Sequence, residues 1–446
     1  MSNVPMTRPE EVLAVHETNY FHSSTFVELD DGRILHAANT TLTTSEDGGV
    51  TWSEPFERRD TNGDIVGGGS TSLVKLSGKG IGLAAARRGE NDAGTGPGVT
   101  ESYSYMVFWR SEDGGETWEP PVRATSVGRN SYAYQDVMLR TSSGRIVLPL
   151  YGGMGQTAGP DVPRTPMTGK LLNGQWTTTS AHFWSGGGMG FSWVVYSDDD
   201  GRTWRRSEDG ELVITVDYAA LASPIGEPTV TEVSPGKLLM FFRTKMGRVF
   251  QAWSHDDGMT WTRPQGTSLA ATTTPAQIRT IPSTGHLLTV WNQENEEDVK
   301  RGFNRTRLSS AISRNGGSVW EFFQNIESMH EETRVEPGPF RANRPAEQYL
   351  PPGVPALERE GEYIETVDFH GRWSYPSVLV MKDRVLVAYT YSYYEEHPEK
   401  AELVHSRAKP GGFNQRLKVL PLTWFYGGKE PADNPFLPRT HDPAQP

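Results

Sequence analysis

The chain has 446 residues, a formal net charge of −12, no cysteine, 47 glycines, 31 prolines and 35% hydrophobic residues. The acidic balance argues against a nucleic-acid partner, since phosphate binding rests on clustered Lys and Arg. Without cysteine there is no disulfide, thiol nucleophile or thiolate-held metal.

Met1 to His16 lacks a charged start followed by an apolar run, so no signal peptide is visible. No stretch approaches the ~18–20 apolar residues of a membrane span. As written, the chain reads as soluble and cytoplasmic, with secretion left open. A first hairpin is expected over 26–35, turning at Asp30-Asp31-Gly32. It runs into Ser45-Glu46-Asp47-Gly48-Gly49-Val50-Thr51-Trp52. After an insertion at 60–69, a second hairpin spans 72–83 and another insertion covers 88–100. The strand-like run Tyr105-Met106-Val107-Phe108-Trp109 then enters a second copy of the motif, Ser111 to Trp118. Tyr134-Gln135-Asp136 precedes a third hairpin at 137–148. The insertion at 152–190 follows, holding His182 and the run Gly186-Gly187-Gly188. Third and fourth copies, Ser197 to Trp204 and Ser254 to Trp261, flank the hairpin at 230–240. A fifth hairpin at 278–290, an insertion at 293–305 and a worn copy from Ser313 to Trp320 come next. The worn copy has Asn315 for Asp and Val319 for Thr. A last insertion at 327–370 leads to a sixth hairpin at 378–387 with no clear motif behind it. The tail after Phe425 is expected to lie over the surface.

Five copies of Ser-x-Asp-x-Gly-x-Thr-Trp, about 55–90 residues apart, mean a repeat architecture. The Asp can accept backbone N–H bonds in the turn, Gly supplies φ > 0, and Trp covers the turn with an apolar face. These carboxylates read as turn locks, because identical residues at symmetry-related rim positions cannot all surround one site. Two hairpins per unit make a four-stranded blade. Six units therefore predict an all-β, six-bladed β-propeller with antiparallel blades and Asp-box hairpin turns. One domain is expected over 1–446, with blades roughly at 15–425 and a tail at 426–446.

The Asp boxes on several blades resemble the sialidase (neuraminidase) superfamily, within the broader BNR-repeat proteins, and the likeness covers roughly residues 15–420. It is strongest to a bacterial, neuraminidase-like branch whose substrates vary. The resemblance implies an active site on the propeller axis, at the side opposite the boxes. Gly226-Glu227-Pro228 and Phe242-Arg243-Thr244 match the sialidase Glu and clamp Arg of blade four. Trp373-Ser374-Tyr375-Pro376-Ser377 resembles the segment carrying the nucleophilic tyrosine. Arg305 or Arg307 of blade five would complete a carboxylate clamp. Where sialidases carry a first clamp arginine, this chain reads Phe21-His22-Ser23-Ser24. The acid/base position stays open among Asp60, Asp64 and Asp136.

A neutral tyrosine suits an anomeric carbon that bears a carboxylate, where an acidic nucleophile would meet like charge. Free tyrosine, with a pKa near 10, is ionised at roughly one part in a thousand at neutral pH, so a base such as Glu227 must take its proton. Guanidinium groups would hold the substrate carboxylate through paired charge-assisted bonds. His22 could bind a hydroxyl or act as a base, the glycine run beside His182 could admit a ligand closely, and Trp291 could stack on a sugar ring. The acidic cluster Glu294, Glu296, Glu297 and Asp298 lacks the spacing and glycine of a calcium loop and reads as solvated. Neither a metal nor a cofactor is expected. The expected partner is a carbohydrate; the oligomeric state is left open. Together these imply an exo-acting glycoside hydrolase that removes a terminal, acidic sugar. The alternatives are a uronate polysaccharide lyase using His22, Tyr375 and Arg243, and a non-catalytic carbohydrate-binding propeller.

Overall fold

In the computed structural model, the residues described are 11–18, 24–90, 102–125, 131–154, 169–172, 175–178, 189–208, 210–214, 225–244, 246–300, 305–338, 369–396, 403–406 and 414–436. They form an all-β propeller of six antiparallel blades. Blade two runs Gly69–Lys75, Ile81–Glu90, Ser102–Ser111 and Val122–Arg123 from the axis outward. Blade four follows the same plan with Ile225–Ser234, Lys237–Thr244, Arg248–Ser254 and Gln265–Ala270. Blade three contains Leu139–Arg140, Ile146–Met154, Met189–Ser197 and Arg205–Arg206; blade five contains Gln277–Thr280, Leu287–Asn292, Arg307–Ser313 and Glu321–Ser328. Blade one has Ser24–Glu28, Ile34–Ala38 and Thr41–Ser45, and its fourth position is a bridge from Leu42 to Phe56.

Blade six departs from the simple count of hairpins. Phe369–Val380 and Arg384–Glu396 pair next to Gln415–Pro421, and the outermost strand is the N-terminal Ala14–Thr18. Five residue pairs, Ala14 with Val419 through Thr18 with Gln415, knit the two ends of the chain together. A 3-10 turn, Leu422–Tyr426, then buries Leu422, Trp424, Phe425 and Tyr426, so the first residue expected in the surface tail is part of the core.

The box turns engage the polar groups of their Ser, Asp, Thr and Trp residues. Asp47 Oδ1 accepts from the Ser45 hydroxyl at 2.9 Å and the Thr51 N–H at 2.8 Å, and Asp47 Oδ2 accepts from the Thr51 hydroxyl at 2.6 Å. Ser45 Oγ accepts the Gly49 N–H at 2.8 Å, and the Trp52 indole donates to the Gly49 carbonyl at 3.1 Å. Asp113, Asp199 and Asp256 repeat this pattern. Partial burial raises these carboxyl pKa values, but the hydrogen bonds outweigh it and hold all four below the usual range. In the worn copy Asn315 Oδ1 still accepts from Ser313 and the Val319 N–H, while the side-chain bond from residue 319 is lost.

The box also spaces the blades. Gly201 has φ +83°, and a Cβ there would stand 2.0 Å from Phe108 of blade two. Only glycine tolerates both the backbone and the contact. Apolar residues fill the spaces between blades in six clusters, one at each junction of neighbouring blades. The junction of blades six and one packs Leu386, Ala388, Leu417 and Val419 against Phe26 and Ile34.

Candidate active site

Strand direction defines two ends of the propeller. Each box follows a third strand, so boxes gather at one end. Inner strands begin, and second strands finish, at the other. At that open end three inner strands carry a bulge, marked by register shifts at Gly226/Thr229, Ser374/Ser377 and Gly69/Ser72. Within each bulge one residue takes a left-handed backbone: Glu227 at φ +40°, Tyr375 at +59° and Ser70 at +53°. Non-glycine residues adopt this conformation at a cost, and a bulge that carries one re-aims its side chain.

Two bulges meet a cation from a second strand. Arg243 Nη1 donates to Glu227 Oε2 at 2.6 Å and to Tyr375 Oη at 3.2 Å. One guanidinium nitrogen thus brings the buried carboxylate and the phenol oxygen to neighbouring positions. Burial opposes charge on Arg243, but the adjacent Glu227 carboxylate outweighs it and holds the guanidinium above its ordinary pKa. Arg305, itself at φ +63°, lies with its Cζ 5.2 Å from the centre of the Tyr375 ring. Its Nη1 reaches the Ser374 hydroxyl at 3.3 Å and its Nη2 the Thr273 carbonyl at 3.4 Å. Among the described residues no carboxylate pairs with it, and burial draws its pKa down to about 10. A partly buried cation that pairs with no carboxylate among the described residues favours an incoming anion.

Tyrosines wall this cluster. The Tyr134 ring lies 5.9 Å from Tyr375, and Tyr132 lies 5.7 Å from Tyr151. Tyr151 sits at the register of Arg243: Ile146 pairs with box residue Ser197 as Leu238 pairs with Ser254, and each side chain follows five residues later. Burial, then the Glu227 charge, pushes the phenols of Tyr134 and Tyr151 well above their usual pKa. Sequence reading missed Tyr134 and Tyr151 as site residues; the distance from each box along the second strand was the available signal for Tyr151.

The remaining candidates fall elsewhere. Asp136 is buried at φ +58°, where it accepts from the Thr25 hydroxyl at 2.9 Å and the Val378 N–H at 2.9 Å, and pairs with Arg279 at 2.7 Å. Burial raises its pKa, with Arg279 the leading opposing influence. Asp60 caps its own loop, accepting the N–H groups of Asn62 and Asp64 at 2.9 and 3.1 Å. That loop packs at the box end, where the Thr61 N–H reaches the Trp118 carbonyl at 3.0 Å, and it leaves Asp64 exposed there. Arg307 is buried in an ion pair with Asp298, which also caps the turn at Asn295. Trp291 is 1% exposed and donates to the Ala270 carbonyl at 2.8 Å, within the core between blades four and five. His22 and His182 lie outside the described residues. The structure therefore brings Glu227, Arg243, Arg305 and Tyr375 together, and does not bring Asp64, Asp136, Arg307 or Trp291 into that cluster.

Among solved structures, the chain is similar to the Hadza microbial sialidase Hz136, at 14% identity and a TM-score of 0.50, over 93% of this chain and 67% of that one. Trypanosoma rangeli sialidase in complex with the inhibitor DANA matches at 13% identity and a TM-score of 0.51, over 91% of this chain. The chain spans 55% of that protein's length. The K499G mutant of the NanB sialidase from Streptococcus pneumoniae matches at 12% identity and a TM-score of 0.50, over 92% of this chain and 70% of that one. Identities this low speak for the fold: a sialidase-like propeller. The sequence model of the BNR repeat-like domain matches residues 92–387, from the second blade into the sixth, and the chain belongs to that family.

Proposed function

We propose that the protein is an exo-acting glycoside hydrolase of the sialidase type, removing a terminal acidic sugar through a tyrosine nucleophile. The observation that carries this reading is the single nitrogen of Arg243 bonded to both Glu227 and Tyr375, with Arg305 over the same phenol ring. The fold of the sialidases it resembles supports the same reading.

In this reading the substrate carboxylate lies against Arg305, whose charge has no carboxylate partner among the described residues, with Arg243 on its other flank. Glu227 takes the Tyr375 proton as the phenol oxygen bonds to the anomeric carbon and the glycosidic C–O bond breaks. The leaving oxygen takes a proton from solvent. Water then cleaves the tyrosyl–glycosyl bond, giving its own proton back to solvent while the proton held by Glu227 returns to the phenol. Arg243 keeps the base and the nucleophile around one donor through both steps.

The test is hydrolysis of a panel of aryl glycosides led by aryl sialoside. Tyr375→Phe is expected to lower kcat at least about 1000-fold with an unchanged melting temperature, and Glu227→Gln about 100-fold or more. Residual activity of Tyr375→Phe within tenfold of wild type would rule out the nucleophile assignment. Uronate polysaccharides monitored for unsaturated product, in the same panel, distinguish a lyase.

A further inference from the structure

Tyr134-Gln135-Asp136 stands on blade three, three blades away from Tyr375 and so across the axis from it. Each of its residues reaches the backbone of the Tyr375 bulge. The Tyr134 hydroxyl donates to the Pro376 carbonyl at 2.7 Å, and Gln135 Nε2 donates to the Tyr375 carbonyl at 3.1 Å. Asp136 Oδ2 accepts the Val378 N–H at 2.9 Å. Thus three consecutive side chains address three backbone groups within a four-residue stretch that carries the phenol.

Neighbouring blades brace this crossing. Arg279 of blade five pairs with Asp136 and donates through Nε to the Val378 carbonyl at 3.1 Å. Gln277 Nε2 donates to the Gln135 and Asp136 carbonyls at 3.1 and 3.2 Å. The Thr25 hydroxyl of blade one completes the Asp136 carboxylate, and the Ser377 hydroxyl donates to the Ser24 carbonyl at 2.7 Å. Tyr375 holds a left-handed backbone that an ordinary strand would relax. A bulge under that strain keeps one geometry only if its surroundings fix it.

We propose that Tyr134, Gln135 and Asp136 are positioning residues, a cross-axis brace that holds Tyr375 in the orientation where its phenol oxygen meets Arg243 and Glu227. The Asp136 carboxylate is engaged in that brace, not offered to substrate. This rests on Tyr375 being the nucleophile for its catalytic consequence, and on the hydrogen bonds alone for its structural one.

Two mild variants test it. Tyr134→Phe removes one hydroxyl and keeps the ring against Tyr375; Gln135→Leu removes the amide and nearly keeps the volume. With 4-methylumbelliferyl α-sialoside as the probe, each is expected to lower kcat about tenfold while KM stays within about twofold. That split marks misplacement of a reacting group rather than loss of binding or fold. Independently of turnover, proteins labelled with [13Cζ]tyrosine report the phenol directly, the Tyr375 line being assigned by its absence in Tyr375→Phe. The line is expected to shift or broaden in both variants. A Tyr375 line superimposable on wild type in both overturns the brace, whatever the kinetics. A moved line in a protein that cleaves no glycoside upholds the brace and overturns only the nucleophile reading.

Discussion

His36 shows how a single side chain can set a pH limit far from the site. Its ring is fully enclosed, 5.0 Å from Phe26 and 5.8 Å from Trp52, with the Ser24 and Thr43 hydroxyls on its two nitrogens at 2.8 and 2.9 Å. Burial drops its pKa from 6.5 to about 3. The folded state therefore holds the neutral ring, while the unfolded chain gains a proton below pH 6.5. Its contribution is whole above that pH and is lost as pH falls toward 3, by up to about 1.4 kcal/mol per pH unit. Urea midpoints between pH 7 and 4.5 should fall with acid, and His36→Gln should flatten that slope although it lowers stability at pH 7. An unaltered slope would remove His36 from the account. At this scale the likeness of short segments to those of sialidases is what singled out Glu227, Arg243 and Tyr375, and the structure places the three in contact. Asp136 could not be read the same way: an acid before an inner strand looks identical whether it faces substrate or binds the backbone of the opposite blade. Arg305 and Arg307 are two residues apart, and the structure separates them: Arg307 pairs with Asp298, whereas Arg305 lies over the Tyr375 ring.

Elements were the most legible level, because the box turn is a local device whose partners lie within eight residues. The worn copy allows this to be measured. Asn315→Asp together with Val319→Thr restores the second carboxylate oxygen and the hydroxyl that bonds to it in the other turns. The pair should raise stability by about 0.5–1.5 kcal/mol, read as a higher denaturant midpoint with an unchanged m-value. No gain would mean that the side-chain bond contributes little at the rim. Strand pairing within hairpins was equally readable. The seam in blade six was not, since nothing in the composition of residues 14–18 says that their partner lies about 400 residues downstream.

For the whole molecule, stability depends on closing a ring of six apolar junctions. Removing residues 1–18 strips the outer strand from blade six, along with the ion pair of Glu17 with Arg416 at 2.5 Å. It also leaves Gln415–Pro421 as an open edge, which invites pairing with a second chain. The truncated protein should melt several degrees lower and self-associate in sedimentation, whereas an unchanged melting point would show that the seam is dispensable.

The seam also has a consequence in time. During synthesis the strand Ala14–Thr18 leaves the ribosome long before Gln415–Pro421 exists to receive it. Five blades can assemble in order behind it, yet the blade bearing Tyr375 waits for both. The nascent chain is thus an unfastened clasp, and the side chain assigned the chemistry sits on the part that is fastened last.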